Sequence, residues 1–164
     1  MFRLLETGSR RLAAVTAALG AACALIMSLS LLLGVFYRYV LNASLTWTDE
    51  VALLAFSWTI FLFASVLVRG FAHVRVTLVL GMLPATLRFM LERLNLLLVA
   101  AFGALMLWAG WNFAGFTAQQ VSPALRYPLW LQGSAIPVSG ALILFHAIVL
   151  LLSPREHLAK EAQA

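Results

Sequence analysis

Arg38, Asp49 and Glu50 bracket a ten-residue connection between two long apolar runs, so a cation and two acids lie within reach where two helix ends would meet. Such a cluster can form a local ion pair at the level of the lipid headgroups. It can also hold a carboxylate out to a basic patch on a soluble partner. Little else in the chain suggests chemistry. Cys23 is the single cysteine and sits in an apolar run, which excludes an intramolecular disulfide and a cysteine-based metal cluster. Apart from cysteine and tyrosine, His146 is the ionisable side chain within an apolar stretch. It could ligate a haem, relay a proton or bond a neighbouring helix. The last is expected, because a bis-histidine haem needs a second histidine at matching depth, whereas His73 lies past the second run and His157 is in the tail. The chain has no Gly-x-Ser-x-Gly elbow, no His-Glu-x-x-His pair and no phosphate-binding glycine loop, so neither an enzyme nor a bound cofactor is expected.

The elements that position these residues follow from composition. The chain has 164 residues, of which 63% are hydrophobic and 10% charged, and its mean hydropathy is +0.99. Soluble domains carry about 25% charged residues, so this is an integral membrane protein. Four stretches can cross a hydrocarbon core of roughly 30 Å as helices: residues 12–37, 51–68, 94–116 and 131–152. None alternates like a barrel strand, and the expected fold is all-α, a single four-helix membrane domain over residues 1–164. Asp49 and Glu50 ahead of the second span and Arg69 after it both suit the helix dipole.

The net charge of +5 could suggest nucleic acid, but the cations are spread between apolar runs and no nucleic-acid partner is expected. They report orientation instead. Of the eleven Lys and Arg residues, nine flank one side: Arg3, Arg10, Arg11, Arg69, Arg75, Arg88, Arg93, Arg155 and Lys160. Only Arg38 and Arg126 flank the other. That asymmetry places both termini and the 70–93 connector in the cytoplasm, with Arg69, Arg75, Arg88 and Arg93 as anchors at the cytoplasmic interface. Pro84 restarts a helix within the connector, and Leu83, Leu87, Met90, Leu91 and Leu94 recur at helical spacing, which predicts an amphipathic interfacial segment leading into the third span. Ser9-Arg10-Arg11 and Ala21-Ala22-Cys23 resemble signal-peptide features. The apolar run continues for 14 residues past Cys23, however, so an uncleaved first helix is expected.

Helix association is expected along Ala13, Ala17 and Ala21, along Ala14, Ala18 and Ala22, and at Gly110 with Ala114, because small residues four apart let backbones approach in lipid. Ser28, Ser30, Ser57, Ser65, Asn95 and Asn112 could add interhelical hydrogen bonds. Trp47 and Trp130 fall at the outer interface, where an amphipathic ring is favoured, with Trp108 and Trp111 in the outer half of the third span. Trp58 is near mid-span, facing lipid or filling a protein interface.

The stretch Val35-Phe36-Tyr37-Arg38-Tyr39, then Ser44-Leu45-Thr46-Trp47-Thr48-Asp49-Glu50, Trp58, Phe61-Leu62, and Arg69 with His73-Val74-Arg75-Val76 resembles the small (Q-type) membrane subunit of tripartite ATP-independent periplasmic (TRAP) transporters. Ser122-Pro123-Ala124-Leu125 through Pro128-Leu129-Trp130 to Ile136-Pro137 resembles that family's loop before its fourth helix. The chain departs from the family pattern at Asp49, Leu53, Phe63 and Thr77. The resemblance implies an accessory scaffold in the bacterial inner membrane, a symport component without cofactors of its own. Its partners would be membrane lipid, a large elevator-type membrane subunit that binds organic acid and sodium, and a periplasmic substrate-binding protein. Arg38, Trp47, Asp49, Glu50, Trp58 and Arg126 are the candidate contacts to those partners. The competing expectation is a membrane anchor subunit of a respiratory enzyme, similar in size and helix number.

Overall fold

The computed structural model describes residues 2–70 and 85–152. Among these residues there are five helices: α1 (Phe2–Tyr39), α2 (Trp47–Gly70), α3 (Ala85–Phe116), the single turn α4 (Trp130–Gly133) and α5 (Ala135–Leu151). With α4 and α5 following one another, four segments are long and apolar enough to span a membrane: Leu5–Tyr39, Trp47–Gly70, Phe89–Phe116 and Trp130–Leu151. Pro137 lies in the first turn of α5, where its missing N–H has no intrahelical acceptor to lose. The interfacial reading of residues 71–84, with Arg75 and His73, lies outside the described residues, as does the tail from 153. From Ala85 onward the amphipathic stretch is one unbroken helix with the third span.

The helices stand in an open row. α1 packs on α2, α2 on α5 and α5 on α3, while α1 makes only a slight contact with α5. α2 and α5 are therefore the inner helices, and α5 is the more deeply covered: half of its spanning stretch is buried, against 22% for α2 and 17% for each of α1 and α3. The outward faces of α1 and α3 are long and apolar, with Leu25, Leu29 and Leu32 exposed on one and Phe102, Trp108 and Trp111 on the other. The row has two ends. At the loop end lie the α1–α2 and α3–α4 connections, and at the termini end lie the start of α1 and the finish of α5.

The contact faces differ from the alanine rows expected. The seam of α1 runs through Ser9, Ala13, Thr16, Gly20, Cys23, Met27, Ser30, Gly34 and Tyr37, alternating steps of four and three, with Ala17 and Ala24 beside it. This spacing averages 3.5 residues, that of a left-handed coiled seam. Ala14, Ala18, Ala21 and Ala22 are exposed. Phe63 fills the space over Gly20, where a Cβ would stand 3.2 Å from its ring. Between α3 and α5 the backbones themselves touch. A Cβ on Gly103 would lie 2.8 Å from the Leu144 nitrogen, and one on Gly140 would lie 2.6 Å from the Leu107 nitrogen. Gly110 meets Pro137 of α5 in the same way, and Ala114, its expected companion, is only half-buried.

Candidate functional site

The loop end holds the densest polar arrangement. The chain leaves α1 through Asn42, in the left-handed region that asparagine tolerates, and Ala43 N–H donates to the Tyr37 carbonyl at 3.0 Å. Thr48 then enters α2 fully buried, its hydroxyl donating to the Leu45 carbonyl at 3.0 Å. This brings Asp49 to Arg38, 3.5 Å apart and both more than half exposed, the local ion pair that the charges suggested. An exposed pair of this kind contributes little stability. Glu50 goes elsewhere.

The Glu50 carboxylate accepts two consecutive backbone N–H groups of the α3–α4 loop, from Ala124 at 2.6 Å and Leu125 at 2.8 Å. The loop offers those groups because it folds back on itself. Val121 and Pro128 form an antiparallel bridge, Ser122 N–H donates to the Tyr127 carbonyl at 2.9 Å, and Leu129 N–H donates to the Gln120 carbonyl at 2.9 Å. The tip residues 124–126 are left with backbone N–H groups that no strand partner takes. Below the clamp, the Tyr127 hydroxyl donates to Gln132 Oε1 at 3.2 Å, Gln132 Nε2 donates to Ser57 Oγ at 3.1 Å, and the Trp58 indole donates to the Leu131 carbonyl at 3.0 Å. Burial, then the Glu50 charge, push the Tyr127 phenol above its ordinary pKa. The first three turns of α2 are thus fastened to the loop and α4 along one line.

Replacing Glu50 with Gln keeps the shape but removes the charge and one of the two acceptor oxygens, setting an NH2 donor against a loop amide. Amide exchange at Ala124 and Leu125 should rise, while the cores of α3 and α5 keep their protection. Unchanged exchange at those two amides would show that the loop holds its own shape.

The termini end has a second cluster. His146 is fully buried and its Nδ1 lies 2.8 Å from Ser9 Oγ, a bond from α5 to α1. Arg69, at the finish of α2, approaches Glu6 of α1 at 3.9 Å, with both side chains largely buried. The His146 Nε2 and Arg69 Nε atoms are buried and have no partner among the described residues. Nearby, Arg93 of α3 stacks on Phe89 and donates to the Leu151 carbonyl, where a cation suits the exposed carbonyls of the α5 C-terminus. Arg69 and Arg93, expected as interface anchors, are therefore bound to neighbouring helices; Arg75 and the side chain of Arg88 lie outside the described residues.

The sequence-based candidates thus separate into groups. Arg38 and Asp49 pair at the surface, Glu50 and Trp58 bind within the chain, and Trp47 and Arg126 are exposed. Most polar residues expected to bond between helices bond their own helix instead: Ser28 to the Ala24 carbonyl, Ser65 to that of Leu62 and Asn112 to that of Trp108. Ser139 and Gln132 were missed. Ser139 donates across to the Phe61 carbonyl at 2.5 Å. Only a helix known to be covered on both sides makes a mid-span serine a candidate for that role.

Comparison with known proteins agrees with this architecture. The chain is 25% identical over 143 residues to the C4-dicarboxylate TRAP transporter small permease protein DctQ of Vibrio cholerae serotype O1, covering 73% of this chain and 62% of that protein. It is 30% identical over 111 residues to the protein of the same description from Rhodobacter capsulatus, covering 66% of this chain and 49% of that one. The chain thus spans about half to three-fifths of the length of these curated relatives. The family model described as tripartite ATP-independent periplasmic transporters, DctQ component, matches residues 27–156. With most of its length inside that match and its four spanning helices in place, the chain belongs to the DctQ family of TRAP transporter small permease components.

Proposed function

We propose that this multi-pass inner-membrane protein is the fixed scaffold of a binding-protein-dependent carrier for organic acids. It lies against a large elevator-type subunit that binds the substrate and sodium, and it catalyses no reaction itself. Both termini are in the cytoplasm, so the loop end faces the periplasm, where a soluble binding protein arrives. The observation that carries this reading is the open row. α5 is the most deeply covered helix, while α1 and α3 turn long apolar faces outward, and the buried polar groups Ser139 and His146 are spent on neighbouring helices. A wall of this kind is suited to packing rather than to binding an ion at mid-depth. The two C4-dicarboxylate relatives support an organic acid as substrate. Their family also speaks against the respiratory-anchor alternative.

The test is reconstitution. Vesicles holding the large subunit with this chain should take up organic acid when sodium and binding protein are supplied, and omission of this chain should abolish uptake. The isolated chain should show no sodium-dependent rise in melting temperature, since a ligand stabilises only the protein that binds it. A cysteine at Gln119, with Cys23 removed, should react with an impermeant reagent from outside intact cells. Labelling only after lysis would reverse the orientation.

A further inference from the structure

Among the described residues, two that are not glycine have positive φ: Asn42 at 51° and Arg126 at 54°. Asparagine enters the left-handed region readily because its short amide bonds to nearby backbone. A longer side chain enters it against a steric cost that glycine does not carry. Glycine would suit position 126 better, yet an arginine stands there. The strain is held by its surroundings: the Val121–Pro128 bridge closes the loop, and the Glu50 carboxylate grips Ala124 and Leu125, the two residues before it. Strain kept in place by such support points to a role for the side chain it displays.

The charges at this end say what that role is. Arg38 is paired with Asp49, and Glu50 is spent on the loop amides. Arg126 is exposed and makes no ion pair among the described residues. We propose that Arg126 is a preset docking contact for a carboxylate on the acidic surface of the soluble binding protein, and that Glu50 positions it. This inference rests on the proposed function for the side of the membrane and for the partner. It reverses the polarity suggested by the sequence: the acids are occupied within the chain, so the partner surface is acidic, not basic. A lipid phosphate would ask less of the loop, because a cation on any relaxed backbone can reach a headgroup. A pinned backbone sets direction in advance, which serves recognition of a shaped partner.

The experiment uses the reconstituted complex of both membrane subunits in phosphatidylcholine vesicles. It measures binding-protein association rate and uptake at limiting binding protein, at low and high salt. Arg126→Gly should lower the low-salt association rate roughly threefold to tenfold, with the difference fading as salt screens it. Its melting temperature should match or exceed wild type, because glycine accepts the same φ. Arg126→Lys should keep most of the rate. Glu50→Gln is the positioning test: removing an acid alone would speed the approach of an acidic partner, so a slower rate reports a lost loop position. A wild-type rate and salt dependence in Arg126→Gly would overturn the docking role. So would a rate loss accompanied by a lower melting temperature, or one seen only when phosphatidylglycerol is included, which would give the arginine to lipid. An unchanged or faster Glu50→Gln would overturn the positioning role. Wild-type complex that does not respond to binding protein at all would overturn the proposed function itself, and this inference with it.

Discussion

Gly140→Val is expected to part α3 from α5 and to leave the protein without its folded fourth span. A Cβ at position 140 would already stand 2.6 Å from the Leu107 nitrogen and 2.9 Å from the Gly103 carbonyl oxygen. Both are backbone atoms of a helix, so no flexible side chain can swing away. Overpacking a close contact typically costs about 1–3 kcal/mol; Gly140→Ala should fall in that range and the branched valine should exceed it. Gly115→Ala is the control. Gly115 lies on the same α3 helix with nothing within 4 Å of its Cβ position, so alanine there should be neutral or gain about 0.5–1 kcal/mol from helix propensity. Thermal unfolding in detergent measures all three. A Gly140→Ala variant as stable as Gly115→Ala would mean that α3 and α5 do not meet through their backbones.

Ser9→Ala is expected to destabilise the termini end by about 1–3 kcal/mol, the cost of leaving a buried polar group unsatisfied. Ser9 and His146 are both fully buried, and the other ring nitrogen of His146 has no partner among the described residues, so loss of the serine hydroxyl leaves the imidazole with no bond to those residues. His146→Leu alone should cost less, because a helical serine can turn its hydroxyl to the carbonyl one turn back. The double variant should recover much of the Ser9→Ala loss, since replacing both partners of a buried bond by apolar groups can be nearly neutral. A double-mutant cycle reads this coupling directly. Strictly additive losses would show that the two side chains do not depend on one another.

The candidate site was partly legible. Arg38 and Asp49 sit on either side of one short connection, so their meeting required only that the first two helices be antiparallel neighbours. Glu50 was placed with them for the same reason, yet its partners lie 74 and 75 residues away. Nothing local marks Ala124 and Leu125 as acceptor-seeking amides until the loop has closed through Val121 and Pro128. Trp58 is similar: mid-span placement left lipid and a protein interface both open, and the bond to the Leu131 carbonyl, 73 residues on, makes it a contact within the chain.

The sequence by itself determined that the chain is all-helical and that four of its stretches are long and apolar enough to cross a membrane. These are local properties, because the bilayer sets the length of apolar chain needed and each helix satisfies its own backbone hydrogen bonds. The first and third spans run further than their apolar cores suggested, since a helix continues through polar residues once it has started. Which faces meet was decided only by the tertiary structure. In lipid, the outward and inward sides of a helix are both apolar, so hydropathy cannot tell Leu29, which is exposed, from Ile143, which is buried. The contact on α1 follows the 3.5-residue seam through Gly20 and Gly34, not the alanine rows, because the shapes of Phe63 and Thr48 on α2 choose it. Close packing is a property of two surfaces, and a single sequence read along its length shows only one of them at a time.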